Sequence, residues 1–256
     1  NAGITWDAGE WTVDMNGNVN AFAIFSDQKD ASGPIGGLAA PQASTDADSE
    51  TVSISTGLLP AWLGFTATTR QNDLDTSITI SFQPGMGANQ ALGGGGNTEN
   101  RQAFLTFGDK SWGSVKVGKD LGVFGSTAIL NDMTLLGVGA GNSTAGNTTT
   151  LGGIGTGYMY ADWIGQFAYT TPNMNGFSAT LAITQPWNAG GANSAASTGS
   201  TDEFGYQGQA SFSWTGDFAG KVWGGFFSQE VTNIATAAGT TSDRANMYEA
   251  GVSTSL

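Results

Sequence analysis

The sequence predicts an all-β fold, a transmembrane antiparallel β-barrel, and three observations carry this prediction. Apolar and polar residues alternate with a period of two in one segment after another, short connections alternate with long ones, and only 11% of the 256 residues are charged. Soluble domains usually contain about 25% charged residues. The strands of a membrane barrel need only alternate apolar and polar residues, so the average hydropathy of such a chain stays near neutral.

The first clear strand lies within residues 11–21. Trp11, Val13 and Met15 alternate there with Thr12 and Asp14, and the alternation continues to the end of the segment. The same pattern recurs in Thr76–Phe82, Phe177–Ile183 and Phe204–Trp214. A period of two indicates half-buried strands and not helices. The chain contains roughly ten such strands, each near the nine to eleven residues that a tilted membrane strand needs.

The connections between these strands are of two kinds. Tight turns are predicted at Gln71–Asp73, Gly108–Trp112, Thr171–Gly176 and Thr215–Asp217. Long connections rich in Gly, Ser, Thr, Ala and Asn are predicted at Ser26–Glu50, Pro84–Asn100, Asp120–Ala161, Gln185–Glu203 and Val231–Arg244. Short turns at one rim and long loops at the other are the plan of an outer-membrane barrel. No boundary divides the chain, so residues 1–256 are predicted to form one domain. A soluble β-sandwich also alternates, but it rarely carries so many Gly, Ser and Asn with so few charges.

Composition argues against several classes of function. The chain has no cysteine and no histidine, so it lacks thiolate metal ligands and the commonest general base. We therefore expect neither an enzyme nor a cofactor. Eight basic residues against 21 acidic ones argue against nucleic-acid binding, which needs a cationic surface. Apolar runs of roughly 20 residues, which a helical membrane protein would show, are missing from the sequence.

Stretches in three hairpins resemble the general trimeric porins of Gram-negative bacteria in order and spacing. They are Ala61–Thr66 with Leu74–Phe82, Arg101–Phe107 with Trp112–Lys119, and Gln166–Phe177. The resemblance implies a sixteen-stranded outer-membrane barrel, a homotrimer, and passive diffusion of small polar solutes. It also implies contacts with outer-membrane lipids and lipopolysaccharide, and a third loop folded into the pore. About ten strands are too few for such a barrel, and the chain ends inside an alternating segment, so either the sequence stops short or the barrel is smaller than the family's. We expect the first, an incomplete barrel that stops short at its C-terminal end.

The resemblance also implies where the pore constriction lies. In this family basic residues on the barrel wall face acids on the third loop, here Asp120–Ala161. Arg101 matches one wall position, Lys119 matches a basic residue that opens the third loop, and Asp132 matches one of the loop acids. Lys116 is predicted to face the pore on its own evidence, since it alternates with the apolar residues around it.

Three departures weaken the expected transverse field. Trp62 and Asp162 stand where the family has arginines, and Leu136 stands in place of a second loop acid. Acidic rings favour cations. We therefore expect a pore that prefers cations or is weakly selective.

Simpler roles remain open for the same residues. Arg101 also fits a rim ion pair with Glu99 or Asp109, and Lys116 fits a crowded rim. Asp132 also fits a loop turn. A slip of one residue in register would turn the side chain of Trp62 towards lipid.

Other binding sites and functions stay open as well. Asp46, Asp48 and Glu50 alternate in the first long loop, where they could bind Ca²⁺ or bridge lipopolysaccharide through divalent ions, or simply form a solvated acidic loop. A substrate-selective barrel channel would show an aromatic track along its lumen. A surface structural or adhesive β-protein without a channel would also suit the polar, low-charge loops.

Overall fold

The computed structural model describes residues 3–29, 48–84, 98–132, 135–138, 161–186, 203–236 and 239–255. The strands are β1 (Ile4–Ala8), β2 (Trp11–Asn18), β3 (Phe22–Lys29), β4 (Asp48–Ser55), β5 (Trp62–Gln71), β6 (Leu74–Pro84), β7 (Thr98–Asp109), β8 (Gly113–Leu121), β9 (Trp163–Thr170), β10 (Phe177–Thr184), β11 (Gly205–Trp214), β12 (Gly220–Thr236) and β13 (Gly239–Thr254). A short helix, α1 (Ser126–Leu130), lies between β8 and β9.

Eleven of these strands form one antiparallel sheet in the order β1-β2-β5-β6-β7-β8-β9-β10-β11-β12-β13. The hairpin β3–β4 forms a separate two-stranded sheet inserted between β2 and β5. Each strand of the large sheet pairs with its neighbour along the chain, apart from this insertion. The all-β antiparallel prediction is thus confirmed. Across the described residues, no helix has the length and apolar composition needed to cross a bilayer.

The described strands outnumber the roughly ten that the sequence suggests. The loop predicted at Val231–Arg244 is wrong, because β12 continues to Thr236 and β13 begins at Gly239. The β-branched residues of this stretch favour extended strands. The predicted first long loop, Ser26–Glu50, is also too long, since β3 and β4 extend into it from both sides.

The tight connection between β5 and β6 is as predicted. Asn72 and Asp73 both have positive φ angles, 50° and 60°. Two successive residues of this conformation form the two-residue turn whose twist matches antiparallel strands, and Asn and Asp tolerate it well. The short turn fixes the register, which pairs Gln71 with Leu74.

The large sheet has two chemically different faces. We call the first the outer face, because it exposes large apolar side chains from neighbouring strands. They include Leu63, Ile78, Ile80, Phe82, Phe167, Tyr169, Leu181, Ile183, Tyr206, Val222 and Phe226. The opposite, inner face carries a row of hydroxyl groups in register: Thr12 pairs with Thr68, Thr68 with Ser77, and Ser77 with Thr106. One apolar and one polar face on the same strands is the arrangement that lipid on one side and water on the other require.

Candidate functional site

The connection between β8 and β9 begins by crossing the inner face of the sheet. The backbone N–H of Phe124 donates to Oε1 of Gln207 at 2.9 Å, and Oγ1 of Thr127 donates to Oε1 of Gln209 at 2.7 Å. Both glutamines belong to β11, and β9 and β10 lie between β11 and β8. The described part of this third loop therefore folds inward, as expected.

A carboxylate on β13 holds the same segment. Oε1 of Glu249 accepts hydrogen bonds from the backbone N–H of Gly125 at 3.0 Å and from Nε2 of Gln209 at 3.1 Å. Hydrogen bonds to an ionised acceptor are about twice as strong as neutral ones. Glu249 thereby links the loop, β11 and β13.

An aromatic contact joins the third loop to the inner face of β12. The rings of Phe124 and Phe227 lie 5.9 Å apart, centroid to centroid, in a tilted arrangement. Phe227 and Trp223 lie four residues apart on the inner face of β12, and both are buried. The Trp223 indole lies against Gly251 of β13, where a Cβ atom would fall 2.1 Å from Cζ2 of the indole.

Residues 135–137 of the third loop reach the other flank of the sheet. The N–H of Leu58 donates to the carbonyl of Gly137 at 3.0 Å, and the N–H of Leu59 donates to the carbonyl of Leu135 at 3.2 Å. Leu58 and Leu59 lie just before β5, whereas Glu249 lies in β13, eight positions further along the sheet order. One short segment contacts both flanks because the sheet curves around it.

Lys116 and Asp120 meet on the inner face of β8. The Lys116 ammonium forms an ion pair with Asp120, and it lies 4.8 Å from the ring centroid of Phe104. Lys116 is paired in register with Thr106 of the hydroxyl row. The carboxylate also accepts from Nε2 of Gln102 at 3.0 Å, so the lysine charge is neutralised at the wall.

A chain of polar contacts extends this pair across two further strands. Oγ of Ser81 contacts Oε1 of Gln102 at 3.1 Å, and Nε2 of Gln83 donates to Oγ of Ser81 at 2.8 Å. Ser81 and Gln83 are buried. The polar chain therefore fixes the wall of β6, β7 and β8 at the level where the third loop begins.

Arg101 is buried at the start of β7, with 6% of its surface exposed. Its Nε donates to Oε2 of Glu99 at 2.8 Å, and its Cζ lies 5.6 Å from the ring centroid of Trp163. The ion pair with Glu99 is the simpler role that the sequence also allowed for Arg101. Its backbone N–H donates to Oε1 of Gln83 at 3.0 Å, which ties Arg101 to the polar chain.

Lys119 and Trp62 lie on opposite faces of the sheet. Lys119 is exposed and is paired with Ala103 and Gly165, so it shares the outer-face positions of β8 and lies apart from Lys116. Trp62 pairs with Asn18 on the inner face, and its Nε1 donates to Oδ1 of Asn16 at 3.1 Å.

Asp162 shapes the start of β9. It has a φ angle of 51°, its carbonyl accepts from the N–H of Gly122 at 2.8 Å, and its Oδ1 accepts from the N–H of Trp163 at 2.7 Å. Asp tolerates the left-handed conformation because its short side chain bonds the nearby backbone. The residue thus closes the base of the third loop.

The two other predicted third-loop positions that the structure describes, Asp132 and Leu136, follow α1 in the chain. The N–H of Asp132 donates to the carbonyl of Ile129 at 3.1 Å, and the carbonyl of Asp132 accepts from Leu135 at 3.1 Å. These bonds place Asp132 in the turn that ends the helix. Leu136 follows with 78% of its surface exposed.

The candidate calcium ligands lie outside the described side chains. Asp46 falls outside the described residues, and Asp48 and Glu50 are described only through the backbone of β4. A Ca²⁺ site there stays a prediction.

A second charged cluster lies at the rim with the tight turns, where sequence reasoning assigned no site. Arg70 contacts Asp75 at 2.6 Å, Asp109 at 3.1 Å and Asp73 at 3.7 Å. Arg70, Asp75 and Asp109 line a cavity of about 890 Å³ that the hydroxyl row also lines. One arginine among three acids leaves this rim acidic. The sequence contains a local sign of this cluster, because Asp73 and Asp75 follow Arg70 closely. Asp109 is distant in sequence, and the pairing of β6 with β7 places it beside them.

Comparison with known proteins agrees with this architecture. The family model described as Gram-negative porin matches residues 2–255. The structure is similar to the outer membrane channel DcaP of Acinetobacter baumannii, with a TM-score of 0.56 and 13% identity over 99% of this chain and 61% of that one. A loop L8 deletion mutant of OmpT, an outer membrane protein of Vibrio cholerae, has a TM-score of 0.49 and 14% identity over 96% of this chain and 64% of that one.

The chain thus spans about three fifths of the length of the DcaP channel. No curated protein matches the sequence. The family match extends over nearly the whole chain, and the fold is that of an outer-membrane channel. The chain therefore belongs to the Gram-negative porin family and is a protein of the bacterial outer membrane.

Proposed function

We propose that this protein forms a water-filled channel through which small hydrophilic solutes and ions diffuse passively. The observation that carries this proposal is the inward course of the third loop across a polar inner face, while the outer face stays apolar. Water and solutes need a polar lining, and lipid needs an apolar exterior. A loop that crosses the inner face narrows the passage.

The ion preference proposed for this channel is weak and towards cations. Three basic residues at its wall, Arg70, Arg101 and Lys116, are each paired with carboxylates. Oε1 of Glu249 accepts from two neutral groups, the N–H of Gly125 and Nε2 of Gln209, and the whole chain carries a formal charge of −13. Paired cations attract anions weakly, whereas acids in a pore favour cations.

The assembly proposed is a homotrimer in contact with lipids and lipopolysaccharide. The resemblance to the trimeric porins supports it, as does the broad apolar outer face. Passive diffusion needs no bound cofactor. The Ca²⁺ site at Asp46, Asp48 and Glu50 is a proposal for the first loop alone, and titration of Ca²⁺ into the protein and into an Asp46→Asn variant tests it.

Liposome swelling tests the channel directly. The purified protein, reconstituted into liposomes, should admit neutral sugars at rates that fall steadily as sugar size increases, because a water-filled pore sieves by size. Saturation with one sugar would favour a substrate-selective channel instead. Swelling no faster than in protein-free liposomes would contradict the proposal and favour a structural surface protein.

A further inference from the structure

The first long hairpin of the sheet is broken in its middle. β2 and β5 pair up to Asn18 and Trp62, and pairing resumes between Phe22 of β3 and Ser55 of β4. Residues 19–21 and 56–61 form the break between the two halves. Much of this break is buried, as the exposed fractions of Thr56 (0%), Ala61 (1%) and Leu58 (4%) show.

One amide side chain closes the break. Nδ2 of Asn20 donates to the carbonyl of Leu59 at 3.0 Å, and Oδ1 of Asn20 accepts from the N–H of Gly57 at 3.0 Å. Asparagine can serve both bonds because its side chain carries a donor and an acceptor. Asn20 therefore fixes the course of residues 57–59.

The same residues bind residues 135–137 of the third loop. The N–H groups of Leu58 and Leu59 donate to the loop carbonyls of Gly137 and Leu135. Asn20 bonds the same short stretch, at the N–H of Gly57 and the carbonyl of Leu59. At Gly57, a Cβ atom would fall 2.6 Å from the carbonyl oxygen of Gly137 and 3.1 Å from Cε2 of Phe22. Only glycine lets the two backbones approach this closely.

We propose that this break anchors residues 135–137 of the third loop, and that Asn20 and Gly57 are the residues that position this anchor. The start of the loop is held by Gln207, Gln209 and Glu249, so the described part of the loop is held near both of its ends. The consequence for transport rests on the proposed function: a loop released from the break moves within the pore and interrupts the current.

A spin label tests the anchor independently of transport. The chain has no cysteine, so Leu136→Cys gives a single labelling site, and Leu136 is 78% exposed. Adding Asn20→Ala removes two neutral hydrogen bonds and should raise the mobile fraction of the label about tenfold. Gly57→Val should act in the same direction by steric exclusion.

Two further variants make the test specific. Gly224→Val is the matched control, because Gly224 lies on the outer face and its Cβ would meet only the carbonyl of Glu249 at 3.6 Å; its label spectrum should stay unchanged. Asn20→Asp keeps the acceptor for Gly57 but turns a carboxylate oxygen towards the carbonyl oxygen of Leu59, so its spectrum should shift in the same direction as that of Asn20→Ala.

Single-channel recording then connects the anchor to the pore. Asn20→Ala and Gly57→Val should show more frequent brief closures than the control at the same voltage. A label spectrum that Asn20→Ala leaves unchanged would overturn the anchor. A protein that never conducts would overturn the proposed function instead, and the label spectra would still decide the anchor.

Discussion

Asp120 neutralises Lys116 on the inner face of β8. The two residues form an ion pair, and Gln102 of the neighbouring strand donates a further hydrogen bond of 3.0 Å to the Asp120 carboxylate. Residues four apart along a strand lie on the same face. The wall therefore presents a neutral pair to the passage at a level where a cation alone would attract anions.

Replacing Asp120 by Asn should shift the ion preference of the channel towards anions. The substitution removes one negative charge and leaves Lys116 without its counter-charge, while Gln102 keeps a side-chain oxygen to bond. Reversal potentials in a salt gradient measure the shift. Asp217→Asn is the control, because it makes the same charge change in an exposed tight turn. An equal shift in both variants would show that net charge alone matters.

Replacing Arg70 by Ala should shift the preference the other way, towards cations. Arg70 is the cation shared by Asp73, Asp75 and Asp109 at the turn rim, so its loss leaves three carboxylates without that partner. The same reversal-potential measurement applies, and Arg70→Lys should keep most of the original preference. A shift towards anions would contradict the view that this rim faces the passage.

The contact of Trp223 with Gly251 should be sensitive to an added side chain. Gly251→Val places a Cβ atom 2.1 Å from the indole, and overpacking of this kind costs about 1–3 kcal/mol. The midpoint of urea unfolding, followed by tryptophan fluorescence, should fall. Gly224→Val, with space at its Cβ, should change the midpoint little, and equal losses would argue against the contact.

Neighbouring residues of β6 should respond oppositely to a charge. Ile80 is 41% exposed on the outer face, whereas Oγ1 of Thr79 lies 3.1 Å from Oγ1 of Thr66 on the inner face. Lysine on the lipid side near the membrane centre costs about 2–4 kcal/mol. Folding yield into lipid vesicles should therefore fall for Ile80→Lys and much less for Thr79→Lys. A larger loss of folding yield for Thr79→Lys than for Ile80→Lys would show that the two faces are assigned the wrong way round.

Alternation along the chain was enough to predict the strands and their faces. The segment beginning at Trp11 and the segment beginning at Thr76 both have the predicted period and became β2 and β6. The same reasoning failed where composition suggested a loop: the Thr- and Ala-rich stretch after Val231 is strand up to Thr236 and again from Gly239, because its β-branched residues favour an extended backbone.

The site was harder to predict, because its contacts join distant parts of the chain. The partners of the third loop, Gln207 and Glu249, follow it by 83 and 124 residues, and nothing local marks them as partners. Asp120 was expected to begin the loop, yet β8 continues through it to Leu121. A shift of one residue along a strand moves a side chain to the opposite face of the sheet. A local resemblance does not fix the position of Lys119 to within one residue, so it does not fix its face.

The reversal potential of the reconstituted protein in planar bilayers tests the central claim most directly. We predict stepwise single-channel currents in a salt gradient, with a reversal potential displaced towards the value for cations. A membrane that stays silent, or a reversal potential displaced clearly towards the value for anions, would contradict a polar passage whose wall cations are neutralised by carboxylates.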